Sequence, residues 1–253
     1  MEISVGKTLE GVRDSAQTRR MFSTFGRLSL IAACLALASC ASNEVAGRKN
    51  TSRSFTTVVV DAGHGGKDSG AVRRYGPPEK QVTLDVAQRL NRKLRESQLR
   101  TVMTRNSDVF IPLDERVAIG NRTANSIFVS IHFNDSRRRG VHGFETYYNS
   151  PYARSLANRI QQKLVTLRGS SNRGVRTANF RVVRKAVYPS VLVECGFLSN
   201  RGEGAEAASG AWRETLADKI SEAIVEERYG AGVYNASARA AANAPANGSP
   251  GTF

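Results

Sequence analysis

The chain has 253 residues, enough for one large domain or two small ones, and 40% of them are hydrophobic, enough for a core. Its 37 lysines and arginines against 22 acidic residues leave a formal charge of +15, which points to anionic partners. Zinc-finger spacing, an aromatic RNA-binding motif and a continuous basic helix are all missing, so no nucleic-acid partner is expected. Of the three cysteines, Cys34 and Cys40 lie in an apolar N-terminal stretch and Cys195 stands alone, which argues against a disulfide framework; Cys195 reads as a small buried hydrophobe.

Arg19, Arg20 and Arg27 precede the apolar run Leu28 to Ala38. That run is too short to span a bilayer as a stable helix. A positive start, a short apolar stretch and small residues at its end make a secretory signal, assigned to residues 1–40. Met21 offers an internal start that would give a signal of ordinary length. Leu37-Ala38-Ser39-Cys40 resembles the lipobox of bacterial lipoproteins. The resemblance implies that Cys40 is lipidated and becomes the mature N-terminus, held to a membrane by several acyl chains. Ala41 and Ser42 follow, without the Asp that retains some such lipoproteins at the inner membrane, so a periplasmic protein anchored to the outer membrane is expected. Residues 41–54 read as a polar tether, residues 231–253 as a disordered tail, and residues 55–230 as a single folded domain.

Within the folded part, Phe55 to Val60 is a β-branched run and predicts a buried strand. From Glu79 to Glu96, Val82, Val86, Leu90 and Leu94 mark one face of a helix. Leu99 to Thr104 predicts a strand, and Asp114 to Ala124 a helix with Pro112 at its first turn. Ser126 to His132 and Gly143 to Tyr148 predict strands, and Tyr152 to Leu167 a helix. Phe180 to Arg184 and Ser190 to Cys195 read as strands, and Trp212, Leu216, Ile220 and Ile224 mark a final helix. Strands alternating with helices predict an α/β fold around a largely parallel or mixed sheet. Ligands in such folds bind beyond the carboxyl ends of the strands.

Three chemically competent side chains fall at those ends: His64 after the first strand, His132 at the end of the third, and Glu194 in the last. His64 and His132 sit in DAGHGG and SIHFND, beside polar or glycine-rich neighbours that suit a metal site. Glu79 opens a helix, where an acidic residue is favourable on its own account; a third metal ligand is the other reading. Glu194, flanked by apolar residues in VLVECGF, is the best general base, because burial raises a carboxyl toward the working range. DAGHGGKDSG lacks the GxxxxGK[ST] spacing of a nucleotide-binding loop. Arg105, Arg116 and Arg122 read either as ion pairs with Asp108, Asp114 or similar carboxylates, or as contacts to a substrate carboxylate.

VVVDAGHGGKDSGA, PPEKQVTLDVAQRL, TRNSDVFIPLDERVAIGNRTANSIFVSIHFND, GFETYY and NRGVRTANFRVVRKAVYPSVLVECGFLSN occur in the order found in zinc-dependent N-acetylmuramoyl-L-alanine amidases of the cell-division and sporulation type. The chain resembles that family from about residue 57 to 228. The resemblance implies a mixed six-stranded sheet flanked by helices and one zinc ion per chain. It implies His64, Glu79 and His132 as metal ligands, Glu194 as the catalytic carboxylate, and peptidoglycan as substrate. The bond cut would join the lactyl group of N-acetylmuramic acid to L-alanine. A non-catalytic wall-binding lipoprotein and an amidase restricted to soluble muropeptides are the alternatives. His142 matches the approach to the GFETYY strand and is not expected to be a ligand. Gln81, Phe133 and Cys195 depart from the family pattern, and Phe133 is expected to reshape the cleft. Between His132 and Gly143 there is too little chain for the inserted helix that plugs some division amidases. The sequence identifies no protein regulator.

Overall fold

Strand β1, Thr57–Ala62, is buried at every position, as a β-branched run must be when both faces of its sheet are covered. The computed structural model describes residues 47–138, 140–167, 171–232 and 234. The signal segment, Cys40 and nearly all of the tail lie outside the described residues. The sheet continues with β2 (Arg100–Met103), β3 (Ser126–Asn134), β4 (Phe144–Tyr148), β5 (Asn172–Thr177) and β6 (Ser190–Phe197), in the order β2-β1-β3-β6-β4-β5. All neighbours run parallel except β4 and β6. The expected mixed α/β sheet is therefore the fold observed.

Alternation along the strands divides the side chains between two unequal layers. Val58, Val60 and Ala62 of β1, with Ile127, Val129, Ile131 and Phe133 of β3, enter the large core. Helices α1 (Glu79–Glu96), α3 (Arg154–Leu164) and α6 (Gly210–Tyr229) cover that face. The spacing of Val82, Val86, Leu90 and Leu94 puts all four on the covered side of α1, fully or almost fully buried. Ion pairs fasten α1 to α6: Arg89 to Glu214 at 2.5 Å, and Lys93 to Glu214 and Asp218 at 2.9 and 3.2 Å. On the other face Val59, Phe128 and Leu192 pack with Val117 of α2 (Leu113–Arg122) and with Val182 and Val183 of α4 (Arg181–Arg184). On this thinner side a cavity is lined by Asp61 of β1, His132 of β3, and Leu192 and Glu194 of β6.

Several elements differ from the sequence reading. Phe180 to Arg184 is not a strand: Arg181–Arg184 makes one helical turn that seats Val182 and Val183 on the thin face. Strand β5 and helix α5 (Arg201–Ala208, capped by the Asn200 side chain) were not anticipated. Chain order also begins before Phe55. Lys49 N donates to Val187 O at 2.8 Å and Thr51 Oγ1 to Ser126 O at 2.5 Å, so the end of the stretch read as a tether is held against the sheet.

Candidate active site

The loop after β1 places His64 by steric necessity. A Cβ on Gly63 would lie 2.4 Å from His132 Cε1, so only glycine admits the two imidazoles side by side. His64 itself has φ of +60°, in the left-handed region, at a cost of ~1–2 kcal/mol for a non-glycine residue. Buried guanidiniums hold the loop there. Arg116 donates to His64 O at 2.6 Å and Ala62 O at 2.6 Å, and Arg105 donates to Gly63 O at 2.7 Å and Ala62 O at 2.9 Å. Arg116 is balanced by Asp61 at 2.7 Å, whose carboxylate also accepts from Thr104 and Ser130 at 2.6 Å each. Burial alone would raise the Asp61 carboxyl, but Arg116 and the two hydroxyls hold it below the usual carboxylate range.

Glu79 opens α1 and is locked to the preceding loop. Its N–H donates to Ala71 O, and its Oε2 accepts from Ala71 N, both at 2.9 Å. Its Oε1 lies 3.0 Å from His64 Nε2 and 3.1 Å from His132 Nδ1. His64 Nδ1 is 2.9 Å from Asp68 Oδ2. With the proton on Nδ1, the Nε2 lone pair faces Glu79, an outer hydrogen bond of the kind that orients metal-binding histidines.

Two imidazole nitrogens and a carboxylate oxygen converge, an arrangement that calls for a cation or protons between them. Burial disfavours charge on both rings, yet the Glu79 carboxylate outweighs it and pushes both imidazoles up. The rings in turn overcome the burial of Glu79 and hold its carboxyl far below the usual range. His64, Glu79 and His132 offer three ligand atoms within 4.8 Å of one another. Tetrahedral zinc with bonds of ~2.0–2.1 Å needs donors ~3.3 Å apart, so the residues present fit that ion.

Glu194 is the register partner of His132 across β3 and β6. Its Oε2 is buried without a hydrogen-bond partner among the described residues. Burial pushes its carboxyl up to about 7 against the pull of His132, with Glu79 and Glu145 adding to the rise. His64, His132 and Glu194 line a cavity of about 280 Å³, walled on its apolar side by Phe110, Phe180 and Leu192.

Three comparisons bear on this geometry. The family model described as N-acetylmuramoyl-L-alanine amidase matches residues 58–226. The chain belongs to the N-acetylmuramoyl-L-alanine amidase family. Among its relatives, the N-acetylmuramoyl-L-alanine amidase LytC of Bacillus subtilis is 38% identical over 173 residues, 67% of this chain. This amidase-family chain spans only 35% of the length of LytC. An uncharacterized protein of the same organism, YqiI, is 37% identical over 203 residues, covering 78% of this chain and 94% of YqiI. The solved structure of the N-acetylmuramoyl-L-alanine amidase AmiC2 of Nostoc punctiforme superposes with a TM-score of 0.65 at 37% identity, covering 67% of this chain and 95% of AmiC2.

Within this amidase-family site, the four residues singled out in the sequence come together, and His142 lies apart on an exposed loop. Arg105 and Arg116 are 3% exposed and bind backbone carbonyls of the histidine loop; Arg116 makes the expected ion pair with a carboxylate, Asp61 at 2.7 Å, while Asp114 is held by Arg181. Arg122 pairs with Glu115 at 2.9 Å on the surface. Phe133 does not reshape the cleft: it points to the large core, and only its N–H reaches the site, donating to Glu79 at 3.1 Å. Asp68 and Asp61 were missed. Asp68, four residues after His64, was visible as a possible partner; Asp61 requires knowing that Arg116 folds back beneath β1.

Proposed function

We propose that the chain hydrolyses the amide between the lactyl group of N-acetylmuramic acid and L-alanine of the peptidoglycan stem peptide, with one zinc ion held by His64, Glu79 and His132. The observation that carries this reading is the buried Glu194 carboxyl, whose Oε2 has no hydrogen-bond partner among the described residues, set in register beside a His–Glu–His donor set. When bound, zinc supplies Lewis acidity, polarising a carbonyl and making a neighbouring water more acidic. Glu194, poised near 7, accepts a proton from the attacking water as its oxygen bonds to the amide carbon. The C–N bond then breaks, and Glu194 returns the proton to the leaving L-alanine nitrogen. The products are a free lactyl carboxyl on the sugar and a free amine on the peptide. Asp68 keeps the His64 proton on Nδ1, and the carbonyl contacts from Arg105 and Arg116 keep the histidine loop in place.

The catalytic domain is assigned to residues 55–230. Lipidation of Cys40 would tether it to the outer membrane facing the periplasm, bringing it to its substrate. Support for the anchor is the sequence of the signal segment alone. The test of the activity uses purified residues 41–253 on peptidoglycan, with and without a chelator, beside Glu194→Ala. Mass spectrometry should find stem peptides with a free L-alanine amine and glycan stripped of peptide. Cuts between sugars or between amino acids, or turnover indifferent to the chelator, would overturn the reading.

A further inference from the structure

Glu145, 3% exposed on β4, is the register partner of Glu194 on β6. Asn134 Nδ2 and Tyr147 OH donate to its Oε2 at 2.9 and 3.0 Å, and Arg173 Nε lies 3.0 Å from its Oε1. The Arg173 guanidinium also rests over the Phe197 ring, 5.1 Å from the centroid. Arg176 is the register partner of Tyr147 on the edge strand β5. Its Nε is 3.8 Å from Glu145 Oε1, beyond hydrogen-bond distance, and 58% of its side chain is exposed. The site face of the sheet therefore runs from His132 through Glu194 and Glu145 to two guanidiniums. Arg173 is the nearer cation to Glu145, and Arg176, exposed and only loosely paired with the same carboxylate, has no hydrogen-bonded anion among the described residues. Other guanidiniums nearby are committed: both forks of Arg181 hold Asp114 at 2.5 Å, and Arg73 grips Asp135.

We propose that Arg176, backed by Arg173, is a subsite for a free carboxylate on the stem peptide. The proposal rests on the amidase reading above. Two carboxylates on one face would repel an anionic peptide, and an exposed guanidinium is the group that offsets this by bidentate recognition. The distance suits the second residue beyond the scissile bond. Neighbouring strands lie ~4.8 Å apart, so β5 is ~10 Å from β6. Two extended residues advance ~7 Å, and the arginine side chain spans the remainder. Where that second residue is glutamate linked through its side chain, its α-carboxyl is free to bind; where that group is amidated, the charge is lost.

The test compares two synthetic muramoyl peptides, identical except that the second residue carries a carboxylate or a carboxamide. The wild-type protein should favour the carboxylate about tenfold or more in kcat/KM, chiefly through KM. Arg176→Gln should remove that preference by raising KM for the carboxylate while leaving the carboxamide constants unchanged, and Arg176→Lys should keep part of it. Equal use of both substrates by the wild type, or an equal loss on both in R176Q, overturns the subsite and leaves the amidase reading intact. Failure of the wild type to cleave either peptide overturns both.

Discussion

Asp61→Ala isolates the buried support beneath the histidine loop. The substitution removes the carboxylate paired with Arg116, a side chain 3% exposed, and strands the Thr104 and Ser130 hydroxyls that donated to it. Breaking a buried pair by deleting one partner costs about 3–5 kcal/mol, and each stranded hydroxyl adds a smaller penalty of about 1 kcal/mol where no water replaces the bond. Arg116 keeps its carbonyl contacts to Ala62, His64 and Ile111, which argues for the lower part of that range. For a domain of this size the thermal midpoint should fall by roughly 6–20 °C. Asp61→Asn should fall less, because it retains one acceptor and the volume. The pH dependence has a definite sign. The folded-state value is depressed, so the stabilisation from Asp61 is fully present above the unfolded value of ~3.9 and is lost as pH falls through the folded value. In denaturant melts the gap between wild type and D61N should therefore hold from pH 7 down to that unfolded value and narrow only as the pH falls below it. A loss below about 1 kcal/mol in D61A at pH 7 would refute the reasoning.

Removing Asp68 (Asp68→Ala) should weaken zinc binding by about 10–100-fold in a competition titration with a chromophoric chelator, while leaving the melting profile of the metal-free protein nearly unchanged. For Gly63→Ala, whose new Cβ meets the His132 ring at 2.4 Å, metal affinity and activity should both be lost with the circular dichroism spectrum intact; wild-type metal binding would show that the imidazoles do not approach so closely. In the metal-free protein the Glu194 carboxyl should be neutral below and charged above about 7, followed by isotope-edited infrared or carbon NMR. A bound dication favours the charged form, so the acid limb of kcat/KM should fall at or below about 7, with activity declining as acid is added. Glu194→Gln should lower kcat by about 10²–10⁴-fold without changing metal content.

The sequence made the long, periodic elements legible because burial of one face is written directly into residue spacing, as along α1. It failed where tertiary context overrode local preference. Phe180 to Arg184 has β-prone side chains, yet its valines reach the thin face of the sheet from one helical turn. Strand β5 reads NRGVRT, with arginine and glycine where a strand would carry apolar residues, because it lies at the sheet edge and buries little. His64 and His132 stood out because histidines at strand ends are few, whereas Glu79 was singled out only by the family resemblance, an acidic residue at a helix start being favourable on its own account. The supports of these donors were not legible, since Arg105 and Arg116 act on backbone carbonyls that no side-chain pattern reveals.

Glu79 and His132 stand 53 residues apart in the chain yet meet at 3.1 Å, and they meet only because β3 has already paired beside β1. In the unfolded chain the same donors are dispersed, and bringing them together carries a loop-closure cost that the folded chain has already met. An ion captured here therefore selects folded molecules: at a hundred times its dissociation constant it would add about 2.7 kcal/mol to their stability. If the donor set takes an ion, the thermal midpoint would rise with free metal, and scarcity of the ion would show as faster turnover of the protein.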